Sequence, residues 1–308
     1  MDNTLFSLSV KNVSKVYENH QAVSDFSMKI DSNECIGLIG PNGAGKTTLL
    51  KMITGILNPT SGEVLINKRV NIKAKNLIGY LPQYPHFYDW MTGSEVLDFY
   101  SSLSGIPRKE RKKATREVLD FVGLRNVEDK KVIEYSGGMK QRLGIAQAVI
   151  HKPKFVILDE PVSALDPIGR REVLDLIKKI KADTTILFST HILNDAEEVC
   201  DRFVVMKESK KIEDFYLSDL VLHEQKSLII ETGCKNNAWL EYLNDISGVE
   251  SIDEKKNGFE LRFNTADQKL RNQIVGSLSK YNISFSRIDM GYFSFEDYFM
   301  NLVGDLDE

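Results

Sequence analysis

The sequence has few cysteines, no excess of positive charge and no long apolar run, and each absence excludes or disfavours a class of protein. Three cysteines occur in 308 residues, at positions 35, 200 and 234. Their spacing matches no metal-binding pattern. We expect Cys35, Cys200 and Cys234 to be reduced and structural, because a cysteine in apolar surroundings behaves as a small hydrophobic residue.

The net charge and the absence of long apolar runs further limit the class of protein to which the chain can belong. The formal net charge is −4 with both signs interspersed, so no broad basic surface favours nucleic acid as the main partner. No segment approaches the roughly 20 apolar residues that a membrane-spanning helix requires. Residues 1–4 lack the basic start and apolar core of a secretion signal. We therefore expect a soluble intracellular chain, and its length and apolar fraction of 42% predict one large domain plus a smaller one.

The clearest chemical motif is a phosphate-binding loop. An apolar strand at 35–39 leads into it and an apolar-patterned helix at 48–53 follows it, which is the context that the motif requires. Its glycines let backbone N–H groups approach phosphate closely. Lys46 is predicted to reach the β- and γ-phosphates, and the Thr47 hydroxyl to bind Mg²⁺. The motif comprises Gly40, Pro41, Asn42, Gly43, Ala44, Gly45, Lys46, Thr47 and Thr48.

Polar residues follow three further predicted strands. The strand at 155–158 ends in Asp159 and Glu160, which suit a second magnesium anchor and a general base. The strand at 185–190 leads to His191, which can donate to a terminal phosphate oxygen. Gln83 follows the strand at 77–81, and its carbonyl can bind a metal or orient a water. Alone, a glutamine or a histidine at such a position is more often structural, so Gln83 and His191 gain weight only from the other motifs.

Two helix starts and one aromatic residue are further candidates. Ser136, Gly137 and Gly138 precede an apolar-faced helix and form either a second anion-binding helix start or a plain cap. Asp166 and Pro167 predict a helix N-cap followed by proline at the first helical position. Tyr17, between two N-terminal strands, either stacks on a purine or packs half-buried.

A helical insert is predicted at about 84–150, opened by a capping box from Thr92 to Glu95. An aromatic cluster precedes its first helix. These aromatics form either a docking groove for a partner or the core of the insert. The cluster comprises Tyr84, His86, Phe87, Tyr88 and Trp90.

In their order, these motifs resemble those of the ATP-binding subunit of an ABC transporter, over residues 5–212. The resemblance implies that Tyr17 stacks on adenine and that Gln83 links magnesium and the attacking water to the insert. It also implies that Glu160 polarises that water and that His191 holds the γ-phosphate. The family pattern has leucine where this chain has Tyr135 and glutamine where it has Met139. We expect activity to survive, because neither change removes a group that would touch phosphate.

The resemblance also implies a fold and a set of partners. The fold is an α/β P-loop NTPase core, a mixed sheet with an antiparallel N-terminal subdomain and the helical insert. Two ATP molecules are sandwiched in a head-to-tail homodimer, where Ser136, Gly137 and Gly138 complete the partner's site. Mg²⁺ is expected on Thr47, Gln83 and Asp159. A separate membrane-spanning permease is the other partner, which places this exporter-like subunit on the inner face of the cell membrane.

The domains are predicted as 1–213, the ATPase, and 214–308, a small α+β domain. In the second, the order of strands and helices is βαββαβ, which is typical of ferredoxin-like folds. Packing on the ATPase or support of the dimer is favoured over sensing as its role. The predicted strands are 227–231, 249–252, 259–263 and 283–288, with helices at 238–243, 266–280 and 294–303.

Two other functions remain open at this point. One is a soluble ABC-type ATPase that acts mechanically on ribosomes or DNA, although the chain has one ATPase unit and no sustained heptads. The other is a nucleotide sensor without turnover, which the presence of Glu160 and His191 disfavours.

Overall fold

The computed structural model describes residues 6–70, 76–224, 227–233, 236–255, 257–264, 268–290 and 295–304. The chain divides into two compact units, Met1–Phe215 and Tyr216–Glu308. Among the described residues, no helix has the length and apolar character needed to cross a membrane. Cys35 and Cys200 are free and buried, and Cys234 lies outside the described residues.

The first unit contains two sheets and a group of helices. In chain order its elements are β1 (Ser7–Tyr17), β2 (His20–Asp31), β3 (Cys35–Ile39), α1 (Lys46–Ile53), β4 (Ser61–Ile66), β5 (Arg69–Val70), β6 (Ile78–Leu81), α2 (Gly93–Leu103), α3 (Arg108–Phe121), α4 (Gly137–Val149), β7 (Phe155–Asp159), α5 (Pro167–Lys181), β8 (Thr185–Thr190), α6 (Leu193–Val199), β9 (Arg202–Lys207) and β10 (Lys210–Tyr216).

The N-terminal sheet is antiparallel, with the strand order β2-β1-β4-β5. In β2, apolar Phe26, Met28 and Ile30 alternate with polar residues in the sequence, which predicts a strand with one buried face, and the structure buries all three on one face. The Pro and Gly residues within positions 58–62 predict a turn there, and this prediction is partly wrong. Ser61 already pairs with Ser14 of β1, so β4 begins inside the predicted turn.

The central sheet has the order β10-β9-β3-β8-β7-β6. The pairs from β9 to β6 are parallel. Every residue of β3, β7 and β8 is buried, as expected for a parallel sheet covered on both faces. Because the strands are parallel, the segments that follow β3, β7, β8 and β6 lie at the same edge of the sheet. The phosphate-binding loop, Gln83, Glu160 and His191 follow these strands and therefore lie at this edge.

The helical insert contains α2, α3 and α4, and its predicted capping box is confirmed. Thr92 Oγ1 accepts from the Glu95 N–H at 3.2 Å, and Glu95 accepts from the Thr92 N–H at 2.8 Å. Tyr135 is buried, and its hydroxyl donates to the Val127 carbonyl at 2.8 Å. The tyrosine therefore anchors the loop before α4 inside the insert. This explains how the family's leucine position accepts a larger side chain.

The second unit contains a four-stranded antiparallel sheet with the order β12-β13-β11-β14. With α8 and α9 between the strands, this order gives the predicted ferredoxin-like fold. Trp239 is fully buried, and its indole N–H donates to the Ser277 hydroxyl at 2.8 Å. The elements are α7 (Leu217–Glu224), β11 (Ser227–Glu231), α8 (Asn237–Asn244), β12 (Val249–Lys255), β13 (Gly258–Phe263), α9 (Gln268–Lys280), β14 (Arg287–Met290) and α10 (Phe295–Gly304).

The predicted strand at 283–288 was misplaced, since the observed strand β14 is Arg287–Met290. The Ile283 N–H donates to the Leu278 carbonyl at 2.8 Å, and Asn282 has a left-handed backbone with φ 54°. These contacts close the end of α9, so the buried Ile283 belongs to the loop after the helix. Ala266 and Ser294, the predicted starts of two helices, lie outside the described residues.

Candidate active site

The phosphate-binding loop connects β3 to α1 and requires glycine at two of its positions. Gly40 has φ 154°, and a Cβ there would lie 2.0 Å from the Met206 carbonyl oxygen. Gly45 has φ 99°, and a Cβ there would lie 2.2 Å from the Ala22 carbonyl oxygen. A side chain at either position would therefore push the loop away from the sheet.

Lys46 is the first residue of α1, and its ammonium lies inside the loop. Nζ donates to the carbonyls of Gly40 at 2.7 Å and Pro41 at 3.1 Å, and it lies 3.9 Å from Glu160 Oε1. The residue is only 6% exposed. Burial lowers the pKa of Lys46, while the Glu160 and Asp159 carboxylates oppose that shift. The lysine thus joins the loop to the acidic end of β7.

Asp159 is fully buried at the end of β7. Oδ1 accepts from the Ser189 hydroxyl at 2.6 Å, across the β7–β8 register. Oδ2 has no hydrogen-bond partner among the described residues. Burial raises the pKa of Asp159, and the Ser189 and Thr47 hydroxyls beside the carboxyl oppose the rise. A buried carboxylate oxygen without a donor, next to a threonine hydroxyl, is a donor set suited to a hard cation such as Mg²⁺.

Glu160 and His191 meet at the ends of β7 and β8. His191 Nδ1 and Glu160 Oε2 are 2.7 Å apart in a hydrogen bond. Glu160 is 6% exposed and has a left-handed backbone with φ 48°. Its N–H donates to both the carbonyl and the hydroxyl of Ser189, each at 3.1 Å. These bonds fix a turn that directs the Glu160 side chain toward Lys46 and His191.

The other predicted site residues make no direct polar contact with this group. Within the described chain, no hydrogen bond or ion pair joins Tyr17, Gln83 or Ser136 to Lys46, Asp159 or Glu160.

Gln83 is half-buried just after β6, which pairs with β7. Tyr17 ends β1 and is 45% exposed, with Lys15 Nζ lying 5.2 Å from the ring centroid. One face of that ring is thus occupied by a cation.

Ser136 is the N-cap of α4, as the sequence predicts. Its hydroxyl accepts from the Met139 N–H at 3.2 Å. A Cβ on Gly137 or Gly138 would meet no heavy atom within 4 Å, so the start of α4 faces open space. The backbone N–H groups of this turn are available to an anion that approaches from outside the chain.

The predicted aromatic cluster lies at the surface, so its interpretation as the core of the insert is wrong for three members. Tyr84, Tyr88 and Trp90 are each more than 60% exposed. Beside them is a cavity of about 310 Å³. Its lining is mostly aromatic or apolar and consists of His86, Phe87, Tyr88, Met91, Val96, Phe99 and Tyr100.

Ser189 and Tyr80 were not recognised in the sequence, although both contribute to the site. Ser189 contacts both Asp159 and Glu160. The Tyr80 hydroxyl is buried, and its pKa is raised by burial and by the Asp159 charge. The strand register supplies the missing signal, since Ser189 and Tyr80 pair with residues of β7.

Known proteins are similar to this chain over the part that contains these residues. The "ABC transporter" family model matches residues 23–163. The ABC transporter ATP-binding protein YxlF of Bacillus subtilis (strain 168) is 42% identical over 96% of this chain and 99% of its own length. The bacitracin transport ATP-binding protein BcrA of Bacillus licheniformis is 32% identical over 96% and 97%, respectively.

A solved structure has a fold similar to that of this chain. It is the dimer of the ATP-binding cassette MJ0796 in a post-hydrolysis state, bound to ADP and phosphate. Its TM-score is 0.63 at 27% identity, over 68% of this chain and 98% of that chain.

Proposed function

Because the chain belongs to the ABC transporter family as an ATP-binding subunit with ATPase activity, we propose how its residues divide the work of hydrolysis and transport. One observation carries the proposal. Glu160 Oε1 lies 3.9 Å from Lys46 Nζ, and Glu160 Oε2 lies 2.7 Å from His191 Nδ1. A base, a phosphate-binding cation and a hydrogen-bond donor therefore converge where the parallel strands end.

In the proposed assignment, Glu160 accepts a proton from the attacking water and His191 holds the γ-phosphate. Lys46 and the N–H groups of residues 40–48 bind the phosphates. The low exposure of Glu160 supports this role, because a carboxylate in a site that excludes water interacts more strongly with the reacting groups. The Glu160–His191 hydrogen bond keeps the two side chains in one orientation before substrate arrives.

Mg²⁺ is proposed to bind Asp159 and Thr47, with Gln83 contributing from the neighbouring strand. The buried, unpartnered Oδ2 of Asp159 supports this assignment, and so does the oxygen character of all three side chains. When bound, the ion neutralises charge on the phosphates.

A homodimer is proposed in which each start of α4 faces the nucleotide of the other subunit. The open space at Gly137 and Gly138 supports this arrangement, and so does the dimeric structure of a related cassette. Ser136 and the two glycines would supply N–H and hydroxyl groups to the γ-phosphate. Tyr17 would stack on adenine with the ring face opposite Lys15. ATP then favours the closed dimer, and loss of the γ-phosphate removes that preference.

A separate membrane-spanning permease is the proposed second partner, docked on the aromatic cavity beside Trp90. An exposed, mostly apolar cavity at the edge of the insert suits a short apolar element of a partner. We propose that the assembly lies at the inner face of the cell membrane and works as an exporter. The similarity over 96% of the chain to a bacitracin transport ATP-binding protein supports a role in transport. Residues 214–308 are proposed to pack on the ATPase domain or to support the dimer.

Two other functions are less well supported. The full-length relatives are named as ABC transporter ATP-binding proteins, which disfavours a mechanical ATPase of ribosomes or DNA. The packed Glu160–His191 pair disfavours a sensor without turnover, and a phosphate-release assay decides between turnover and binding alone.

Glu160→Gln tests the assignment of the base. We expect the variant to bind ATP normally and to lose turnover by about 100-fold or more. We also expect an ATP-dependent dimer in size-exclusion chromatography. Glu63→Gln is the matched control, since Glu63 is half-exposed and forms an ion pair with Lys11 on the surface. ATPase activity of Glu160→Gln equal to that of the control would contradict the assignment.

A further inference from the structure

We propose that Arg170 and Asp195 form a positioning pair for the turnover step, because their ion pair holds the start of α6 and, through it, His191. Neither residue would touch nucleotide. The proposal rests on the proposed function, since it assumes that His191 and Glu160 act in hydrolysis.

The Arg170–Asp195 pair is short and largely shielded from water. Arg170 donates to Asp195 Oδ1 from Nε at 2.7 Å and from Nη2 at 2.6 Å. The Asp195 side chain is 3% exposed and that of Arg170 is 34% exposed. A charge-assisted contact with two donors fixes orientation as well as distance. It is therefore a stiff link between the first turns of α5 and α6.

The segment that carries His191 needs such a link. Helix α6 has only seven residues, and its N-cap, Ile192, makes no side-chain capping bond. The first backbone bond of this turn, from the Ala196 N–H to the Ile192 carbonyl, is long at 3.4 Å. A short helix without a cap is marginal by itself. Asp195, held from outside by Arg170, is the acidic residue in its first turn and favours the helix start electrostatically.

The Arg170–Asp195 pair is also connected to Glu160 through a second series of contacts. Glu160 bonds to His191 on one side, and its carbonyl accepts from Ser163 on the other at 3.2 Å. Three residues after Ser163, Asp166 caps α5 by accepting from the Gly169 N–H. Arg170 is in the next position of that first turn. A displacement of α6 would therefore pull on the segment 163–166 as well as on His191.

Burial of the Asp195 carboxylate costs free energy, whereas an exposed ion pair on the surface would not carry this cost. Its Oδ2 is buried and has no hydrogen-bond partner among the described residues. Burial raises the pKa of Asp195, and Arg170 and His191 are among the groups that oppose the rise. A buried carboxylate oxygen without a donor is unfavourable.

A matched control lies on the same two helices. Arg171 Nη1 and Glu198 Oε1 form a second α5–α6 pair at 2.7 Å, with the Arg171 side chain 62% exposed. Lys178 also donates to Glu198. If α5 and α6 merely needed to be tied together, losing this pair would have the same consequence as losing the first. Asp195→Asn and Glu198→Gln make the same chemical change at the two places.

The test compares ATPase kinetics, ATP affinity and thermal midpoints of the full chain for both variants. For Asp195→Asn we expect kcat to fall about 10- to 100-fold, with KM changed less than threefold and ATP affinity unchanged. For Glu198→Gln we expect kcat within twofold of wild type. Arg170→Lys keeps the charge but contacts Asp195 from one nitrogen instead of two, and we expect it to retain more activity than Arg170→Gln. This graded rescue would not follow from a loss of packing.

The outcomes separate this inference from the proposed function. If Glu160→Gln abolishes turnover but Asp195→Asn hydrolyses ATP like Glu198→Gln, the positioning role is refuted and the active site stands. A kcat loss that follows a lowered thermal midpoint equally in both variants would also refute it. If Glu160→Gln turns over normally, the proposed function itself fails, whatever Asp195→Asn does.

Discussion

Asp159→Asn is expected to make the protein more stable in the absence of nucleotide. Asp159 is fully buried, and its Oδ2 has no hydrogen-bond donor in the described part of the chain. Burial raises its pKa, so ionising the carboxyl group in the folded state costs folding free energy. The asparagine removes the charge and keeps an oxygen to accept from Ser189. Residues that act in catalysis often carry such a cost.

The size of the gain follows from the buried oxygen. An unsatisfied buried polar atom costs about 1–3 kcal/mol, and we take the lower end because the new amide N–H groups also need acceptors. For a unit the size of Met1–Phe215, a change of 1 kcal/mol moves the thermal midpoint by about 2–4 °C. We therefore expect the midpoint of this unit to rise by about 2–4 °C.

The gain should depend on pH in a defined direction. A raised folded-state pKa contributes stability that is present below the unfolded pKa and is lost as pH rises through the folded pKa. Wild type therefore recovers the cost of Asp159 as pH falls and the carboxyl becomes protonated. The advantage of Asp159→Asn should shrink between pH 7.5 and the acidic limit of folding.

Differential scanning calorimetry without nucleotide measures this effect, and Asp201→Asn is the control. Asp201 Oδ1 pairs with Lys181 at 2.6 Å and its side chain is 48% exposed, so its variant should not gain stability. Addition of MgATP should then raise the midpoint of wild type more than that of Asp159→Asn. An Asp159→Asn midpoint at or below that of wild type at pH 7.5 would refute the argument.

Three further predictions concern the loop, the core and the C-terminal unit. Lys46→Ala should lose nucleotide affinity because the buried ammonium is removed, and an unchanged fluorescent-ATP titration would contradict this. Gly79→Ala should destabilise by about 1–3 kcal/mol in urea unfolding, since its Cβ would lie 2.0 Å from a carbonyl oxygen of α4. The control Gly276→Ala, in open space within α9, should stabilise by about 0.5–1 kcal/mol. Truncation after Tyr216, the last residue of β10, in the Glu160→Gln background should weaken the ATP-bound dimer in native mass spectrometry, whereas an undiminished dimer argues against dimer support.

Local signals in the sequence predicted much of the fold. Asp166 and Pro167 show why, since a capping carboxylate and a proline that lacks an N–H specify a helix start without help from distant residues. The same holds for the alternating Phe26, Met28 and Ile30. The convergence of Lys46, Glu160 and His191 at the ends of β3, β7 and β8 was also predictable, because parallel strands bring their carboxyl ends together.

What the sequence did not reveal depends on contacts between distant positions. Helix α6 is short and lacks a side-chain cap, so it has no strong local signal and is stabilised by packing and by Arg170. Ile283 is apolar and buried in the loop after α9. An apolar residue at this position resembles the start of a buried strand in the sequence. The partners of Ser189 are fixed only by the register of β7 against β8. Such contacts require the folded chain.

The Lys46 contacts have a consequence for kinetics. A lysine ammonium carries three donors, and two of them already hold the Gly40 and Pro41 carbonyls at 2.7 and 3.1 Å. The third remains for an incoming oxygen, so the loop does not have to break its own bonds or gain order to receive one. Capture should then proceed at a rate set by diffusion and by long-range attraction of opposite charges. Added salt should therefore slow nucleotide binding strongly. If a loop rearrangement limited the rate, salt would have much less effect.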